Sequence, residues 1–457
     1  MQKPPRLFVW RGTRIRARNR SLVLRFALMT LTPLFLSVAV LLHLRMLMAQ
    51  DWSRFSLPYF LISSALALMV CASAAFLYRR YRYDSHKQRE HRQKLARLIL
   101  DNGWCERERV GKRERIRRFA RMWYRKRAHL VTVAVALDMG KHQEQLLQLE
   151  TRLETGLYCE LIDKAFEDGY LTYTLLYDSI HGRISIDKVT VRDGSMKLME
   201  TVAWAFDEMP HMLVAGGTGG GKTYFLLTII YALLRQTNAV LTICDPKISA
   251  LIDLNTILPD VYSDPTDITE SLVRFHADML QRYEDMKVHP NYETGKNYAH
   301  MGLEPHFFIL DEFVAYLGRI GREKEKVLET LRGIAMMGRQ AGYFLILACQ
   351  RPDGRFLETD IRDQFNFRVA LGQLSEHGYN MMFGDVKKIF LQKPIKGRGY
   401  YSNGREVIPE FYAPYVPPDF SFLDEIRAVA MERGDDRMPA PTIEIAFDEQ
   451  EVSDDAF

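Results

Sequence analysis

The sequence predicts an α/β protein whose largest part is a parallel, doubly wound sheet, preceded by a two-helix transmembrane hairpin and a small α/β lobe. Three observations support this fold. Between residues 195 and 417, short apolar runs alternate with longer helix-like stretches, as strands and helices do in βαβ folds. A glycine-rich loop follows the first of these apolar runs. Two long uncharged runs lie near the N-terminus.

The two uncharged runs, residues 26–44 and 55–78, are each long enough to cross a bilayer core of about 30 Å. The alternative is a pair of buried helices in a soluble domain. Residues 1–20 and 79–97 are rich in Lys and Arg, whereas the loop between the runs has only Arg45 and Arg54 against Asp51. The positive-inside rule therefore predicts a multi-pass membrane protein with two spans and both termini in the cytoplasm.

The charge distribution divides the chain further. Residues 1–127 carry a net charge of +22 and the remainder −17. We predict a basic cytoplasmic N-terminus (1–25), the transmembrane hairpin (26–78) and a basic juxtamembrane linker (79–127) that attracts membrane lipids. The run 107–127 either resembles a solvated helix face, because acids interleave with its arginines, or contacts nucleic acid. The acidic remainder cannot hold nucleic acid by bulk charge, so any such contact needs a local channel.

Next come a small α/β lobe (128–194), the larger α/β domain (195–417) and a C-terminal helix with an acidic tail (418–457). The tail is expected to be solvated, or else to dock on a basic partner. The five cysteines are widely spaced without a CxxC pair, which indicates neither a zinc site nor a disulfide framework. The strands predicted in the larger domain are residues 212–215, 240–244, 306–310, 343–348 and 367–371.

The glycine-rich loop is a P-loop, GxxxxGKT, placed between an apolar strand and a helix-like run. Its glycines let successive backbone N–H groups point at the phosphates of a nucleotide such as ATP, its lysine adds positive charge, and its threonine hydroxyl can bind Mg²⁺. The cofactor-binding residues predicted on this basis are Gly216, Gly217, Thr218, Gly219, Gly220, Gly221, Lys222 and Thr223.

Polar residues follow two later apolar runs. Asp311 and Glu312 come directly after residues 307–310, and Gln350 closely follows residues 343–348. In P-loop enzymes the first acid holds Mg²⁺ and a following carboxylate polarises the attacking water. A glutamine beside the P-loop strand can sense the γ-phosphate and couple hydrolysis to movement.

The order of these motifs is specific. PHMLVAGGTGGGKT (210–223), CDPK (244–247), RYEDM (282–286), FFILDEFVAYL (307–317), GRQAGYFLILACQRPD (338–353) and GRGYY (397–401) together resemble the motor domain of the FtsK/SpoIIIE family. The resemblance covers about half of the chain, near residues 195–415. It implies a RecA-like P-loop ATPase that works as a homo-oligomer, a hexameric ring that pumps DNA through its central pore.

The resemblance also implies roles for single residues. Lys222 and Thr223 bind phosphate and Mg²⁺, Asp311 is the Walker B metal ligand, Glu312 is the catalytic base and Gln350 is the sensor. Arg368 stands where the family has an arginine after the sensor strand. It is expected either to reach a neighbour's γ-phosphate as an arginine finger or to be a structural ion-pair partner, with Arg351 as the competing finger.

The DNA contacts are predicted from two loops that should face the ring axis. Lys296 and Asn297 lie before the Walker B strand, and Arg319, Arg322 and Lys324 lie after it. Mobile basic side chains flanked by glycine can hold phosphates without reading bases. The alternative for the second loop is an ordinary solvated helix start, because Glu323 and Glu325 alternate with lysines.

The segment order differs from that of the chromosome-segregating members, which have more transmembrane helices, a long linker and a C-terminal DNA-reading domain. It resembles the FtsK-like coupling proteins of conjugative plasmids and integrative elements of Gram-positive bacteria. That likeness implies a bacterial cell-membrane protein that delivers relaxase-bound DNA to the proteins of a conjugation channel. The alternatives are a protein-secretion motor, a chromosome pump and a membrane scaffold that binds nucleotide as an assembly switch.

Overall fold

The computed structural model describes residues 11–49, 57–110, 113–167, 169–177, 179–352, 359–386, 388–391, 393, 395–405 and 407–434. The first ten residues and the predicted acidic tail lie outside the described part of the chain. The chain divides into two compact units, Met1–Asp178 and Ser179–Phe457.

The first unit contains three long helices near its start, followed by antiparallel β structure. Its elements in chain order are β1 (Thr13–Arg14), α1 (Leu22–Ala49), α2 (Leu57–Tyr81), α3 (Tyr83–Asp101), β2 (Cys105–Val110), β3 (Arg113–Phe119), β4 (Met122–Arg127), β5 (Leu130–Ala136), α4 (Gln143–Leu146), α5 (Glu150–Leu157), β6 (Glu160–Glu167) and β7 (Tyr170–Leu176).

Helices α1 and α2 form an antiparallel pair that exposes its apolar side chains. The Tyr59 hydroxyl donates to the Leu42 carbonyl at 3.0 Å, which joins the two helices near one end. The most apolar stretch of α1 has no buried residue, and in that of α2 only 17% are buried. Core helices of a soluble domain bury their apolar residues, so this exposure argues against the soluble alternative.

The segment 79–127, which the sequence predicts as a linker, contains α3, a β-hairpin and β4. The prediction of a solvated helix face within it is wrong, since β2 and β3 pair as an antiparallel hairpin. Their cross-strand neighbours are oppositely charged, Glu108 opposite Arg115 and Arg109 opposite Glu114. Interleaved charges therefore stabilise a strand pair here as well as they would a helix face.

The lobe of the first unit is built on an antiparallel sheet in the order β1-β4-β5-β7-β6. Its central strand β5 is almost wholly buried. The sheet also includes β4, which lies before the predicted lobe boundary at residue 128. Met122 and Tyr124 alternate with more exposed residues along β4 and are buried in the lobe.

The second unit is the predicted α/β domain with a small additional sheet in front. Its elements are β8 (Thr190–Arg192), β9 (Ser195–Met199), β10 (Val202–Ala205), β11 (Met212–Gly216), α6 (Lys222–Gln236), β12 (Val240–Cys244), β13 (Val261–Tyr262), α7 (Pro265–Lys287), β14 (His306–Leu310), α8 (Phe313–Arg319), α9 (Lys324–Ala341), β15 (Tyr343–Cys349), α10 (Thr359–Arg362), β16 (Phe367–Leu371), α11 (Glu376–Phe383), β17 (Arg398–Asn403), β18 (Glu410–Tyr412) and α12 (Phe422–Glu432).

Its main sheet has the order β13-β12-β14-β15-β11-β16-β17-β18. The strands from β13 to β16 are parallel, which confirms the five predicted strands, while β17 and β18 add an antiparallel edge. Helices cover both faces, because α6 and α12 pack into one apolar cluster and α7, α9 and α11 into another. The carboxyl ends of β14, β15 and β11 therefore meet at one edge, where ligands of such sheets bind.

Candidate functional site

The P-loop connects the end of β11 to the first residue of α6. Gly219 and Gly221 have φ values of +78° and +96°, which L side chains rarely adopt. A Cβ on Gly220 would lie 2.9 Å from the Leu371 carbonyl oxygen, so even alanine would force the loop apart from β16. The glycines let the backbone form a tight cradle at the N-terminus of α6, where N–H groups and the helix dipole favour phosphate.

Lys222 lies across the cradle from the two acids that follow β14. Its ammonium donates to Asp311 Oδ1 and, at 2.8 Å, to Glu312 Oε1. The Lys222 and Asp311 side chains are 7% and 2% exposed. Burial alone would lower the pKa of Lys222, but attraction to the two carboxylates outweighs it and raises that pKa. Burial raises the pKa of Asp311, against the opposing effect of Lys222.

Glu312 has an uncommon backbone conformation, with φ +50° and ψ +40°. It is the N-cap residue that directly precedes α8, and its N–H donates to Asp311 Oδ1 at 2.8 Å. Left-handed backbone in a residue other than glycine is stored strain that the surroundings must hold, and it is frequent at functional sites. The turn separates the two carboxylates. Asp311 bonds to Lys222 through Oδ1, whereas the two carboxylate oxygens of Glu312 face different neighbours.

Gln350 and Thr223 lie at the same edge of the sheet. Cys349 is the register partner of Ala215, so the half-buried Gln350 follows β15 directly beside the end of the P-loop strand. Thr223 is half-buried in the first turn of α6. The fold therefore brings the predicted phosphate, metal, base and sensor residues to one place.

Arg368 is bonded to the backbone of its own subunit. Its guanidinium donates to the backbone carbonyls of Phe365 at 2.7 Å, Arg362 at 2.9 Å and Met382 at 3.0 Å. It lies near the amino end of β16, opposite Leu213. These bonds give Arg368 a structural role within the subunit, and its role as a finger toward a neighbouring subunit stays a prediction. Arg351, the competing finger, is exposed just after β15.

The two predicted DNA loops lie at opposite ends of α9. Arg319 ends α8, Arg322 lies in the turn that follows, and Lys324 is the first residue of α9. At the other end, Gln340 donates to the Lys296 carbonyl at 3.3 Å, and Asn297 is the next residue. Eighteen helical residues separate these ends by about 27 Å. The structure therefore does not bring the two groups together.

The comparisons with known proteins agree with this geometry. The FtsK/SpoIIIE family pattern matches residues 189–298. The Ftsk domain-containing protein YdcQ of Bacillus subtilis (strain 168) is 39% identical over 440 residues, which cover 92% of each chain. The chain belongs to the FtsK/SpoIIIE family. As a member it is a P-loop ATPase, and the resemblance of its motifs to this family is confirmed.

Two further matches to this FtsK/SpoIIIE-family chain are less similar. The DNA translocase FtsK of Oceanobacillus iheyensis is 26% identical over 239 residues, and the match covers 46% of this chain and 30% of that protein. Among solved structures, the pCW3 conjugation coupling protein TcpA, a monomer form with ATPγS, has a TM-score of 0.46 and 16% identity. The match covers 75% of this chain and 99% of that one.

Two features of the FtsK-type site have no counterpart in the sequence prediction. Lys247, in the quoted CDPK motif, lies 3.3 Å from Glu312 Oε2. Gly372 and Gly397 pack against the P-loop. A Cβ on Gly372 would lie 2.9 Å from the Gly220 Cα, and a Cβ on Gly221 would lie 3.1 Å from the Gly397 Cα. The sequence could have indicated Lys247, because it follows β12, the strand next to the Walker B strand β14. The sequence could not have indicated the glycine contacts, because they join segments that are far apart along the chain.

Proposed function

We propose that the protein is a membrane-anchored, ATP-driven DNA translocase that acts as a conjugative coupling protein. The observation that carries the motor part is the convergence of Lys222, Asp311 and Glu312 at the P-loop, because these groups are what phosphoryl transfer to water requires. Family membership supports coupling of that hydrolysis to DNA movement.

In this proposal Lys222 exchanges its two carboxylate partners for the phosphates of ATP. A buried ammonium whose charge is favoured by its surroundings is suited to that exchange, since phosphate oxygens offer the same kind of charge-assisted bond. Release of Lys222 leaves Glu312 Oε1 accessible to a water, whose proton it accepts as that water attacks. Gln350 senses the γ-phosphate from beside the P-loop. The proposed finger in a hexameric ring is Arg368 of a neighbouring subunit, with Arg351 as the competing candidate.

The site fits a magnesium ion. The Thr223 hydroxyl and the Asp311 carboxylate supply hard oxygen ligands at the edge of the phosphate cradle, and such oxygens are what Mg²⁺ prefers. When bound, Mg²⁺ neutralises charge on the phosphates. The chain itself orients these two oxygens, through the first turn of α6 and the end of β14.

Membrane anchoring rests on α1 and α2, whose length and exposed apolar surface suit a bilayer. The arginines on both sides of the pair support a cytoplasmic position of both termini under the positive-inside rule. The conjugative role rests on the segment order of two spans, one lobe and one motor. Its partners are DNA, a relaxase, the proteins of the conjugation channel and membrane lipids.

For DNA contact we propose Arg319, Arg322 and Lys324 at one end of α9. Lys296 and Asn297, at the other end, form a separate contact. Basic side chains on turns can hold the phosphate backbone without reading bases.

The test uses the full-length protein in lipid nanodiscs, with ATP hydrolysis measured with and without DNA. We expect DNA to raise kcat and Glu312→Gln to lower it at least about a hundredfold while ATP still binds. Glu329→Gln, on the exposed face of α9, is the matched control. A parallel transfer assay in cells compares wild type with the Lys222→Ala and Glu312→Gln variants. Indifference of the ATPase to DNA, or full transfer by the Glu312→Gln variant, would overturn the proposal.

A further inference from the structure

The turn after β12 is rigid and adjoins the proposed base. Asp245 is fully buried, and its carboxylate accepts the Lys247 N–H at 3.2 Å and the Ser249 N–H at 2.7 Å and hydroxyl at 2.6 Å. Between these residues, Ile248 has φ +54°. A buried carboxylate that accepts three bonds from one turn fixes the turn in place, which determines where the Lys247 side chain starts.

Lys222 and Lys247 each pair with a different oxygen of the Glu312 carboxylate. Lys222 Nζ lies 2.8 Å from Oε1, and Lys247 Nζ lies 3.3 Å from Oε2. The Glu312 side chain is 7% exposed and that of Lys247 is 36% exposed. When ATP phosphates take Lys222, the pair with Lys247 remains. An ammonium on Oε2 holds the carboxylate toward β12 and occupies lone pairs that a water would use.

The same turn is tied to a residue proposed to contact DNA. Arg319 Nη1 donates to the Pro246 carbonyl at 2.5 Å, one residue before Lys247. Arg319 is also the last residue of α8, the helix that begins directly after Glu312. Glu312 and Arg319 are therefore connected twice, along α8 and through the turn that carries Lys247.

We propose that Lys247 is a positioning residue that restrains Glu312, and that nucleic-acid phosphate at Arg319 releases this restraint. Phosphate competes well for Arg319, because a guanidinium–phosphate bond is charge-assisted and can be bidentate, whereas the bond to Pro246 has a neutral acceptor. Loss of the Pro246 bond lets α8, with Glu312 just before it, shift relative to the turn that Asp245 holds in place. Oε2 then separates from Lys247, and Glu312 turns to the water. This inference rests on the proposed function, since it takes DNA as the activating polymer and Glu312 as the base.

The experiment measures kcat and KM for ATP, with and without DNA, on full-length protein in nanodiscs. Lys247→Met is expected to raise the DNA-free kcat about fivefold, the lower end of typical coupling between sites, with KM within about twofold. DNA stimulation falls by the same factor. Lys247→Arg keeps the cation and is expected to behave as wild type. Lys197→Met, which removes a similarly exposed lysine from a surface pair with Glu200, is the control.

Arg319→Ala gives a second route that leaves Lys247 in place. It is expected to raise the DNA-free kcat in the same direction, and its combination with Lys247→Met should add little, because both variants remove one restraint. A merely structural role of Lys247 would lower kcat in the Met variant with and without DNA alike. That result, or an unchanged DNA-free kcat in both single variants, would overturn the inference.

The outcomes separate this inference from the proposed function. A wild-type enzyme that ignores DNA refutes the proposed function. A wild-type enzyme that responds to DNA, together with a Lys247→Met variant that keeps the same stimulation ratio, refutes only the restraint by Lys247.

Discussion

Replacing Lys222 with methionine should weaken the fold as well as nucleotide binding. The substitution leaves the Asp311 and Glu312 carboxylates, 2% and 7% exposed, without the cation that lies between them. Breaking a buried ion pair costs roughly 3–5 kcal/mol because an uncompensated charge stays behind. Lys247 still reaches one oxygen of Glu312, so we expect the lower end, about 3 kcal/mol.

Amide hydrogen exchange on peptides from β14 and β15 of the nucleotide-free, full-length protein measures this loss. A change of about 3 kcal/mol speeds exchange through unfolding roughly a hundredfold, since about 1.4 kcal/mol corresponds to a factor of ten. Adding Asp311→Asn should recover part of the loss, because the amide removes one of the two buried charges while still accepting the Glu312 N–H. Exchange in the single variant that matches wild type, or a double variant no better than the single one, would refute the reasoning.

Three further predictions concern the surroundings of the site. Gly220→Ala should weaken ATP binding, because its Cβ would meet the Leu371 carbonyl oxygen at 2.9 Å. Titration with a fluorescent nucleotide measures the affinity. The control is Gly318→Ala, where a Cβ has open space, and equal affinities of the two variants would contradict the expectation. His211 is fully buried, and burial lowers its pKa from 6.5 to about 4. The unfolded chain then takes up a proton below pH 6.5 that the folded chain does not bind. The contribution of His211 to stability is therefore constant above pH 6.5 and falls by about 1.4 kcal/mol per pH unit between there and about pH 4. Exchange-derived stability across this range should lose that slope in His211→Gln, and an unchanged slope would exclude His211 as its source. Glu410→Ala should destabilise the antiparallel edge by roughly 3–5 kcal/mol, because the Arg398 side chain, 4% exposed, loses its carboxylate partner. The control Glu200→Ala, at an exposed pair, should change stability by less than about 1 kcal/mol. Equal effects of the two variants in thermal unfolding would contradict this.

The sequence was a good guide wherever the signal was local. The strands of the parallel sheet are short, continuous apolar runs, because a strand buried on both faces has no polar side. The P-loop and the Asp311–Glu312 pair directly follow such strands. Once the strands are predicted, the position of these residues at the carboxyl edge of the sheet is therefore predicted as well.

Two questions that the sequence left open share a physical reason. The run from 107 to 119 alternates charges in a way that suits a helix face or a strand pair, and only the pairing of β2 with β3 decides between them. Arg368 stands at a plausible position in sequence, yet its surroundings are backbone carbonyls of residues 362, 365 and 382, which a motif does not contain.

By itself the sequence determined the class of fold, the phosphate cradle and the acids of the nucleotide site, because each depends on residue type and spacing within a few positions. Only the tertiary structure decided that Lys247 shares the Glu312 carboxylate, that Arg319 is bonded to the turn carrying Lys247, and that the two basic loops lie at opposite ends of α9. Those relations are contacts between side chains and turns far apart along the chain, and their distances are set by the packing of strands and helices.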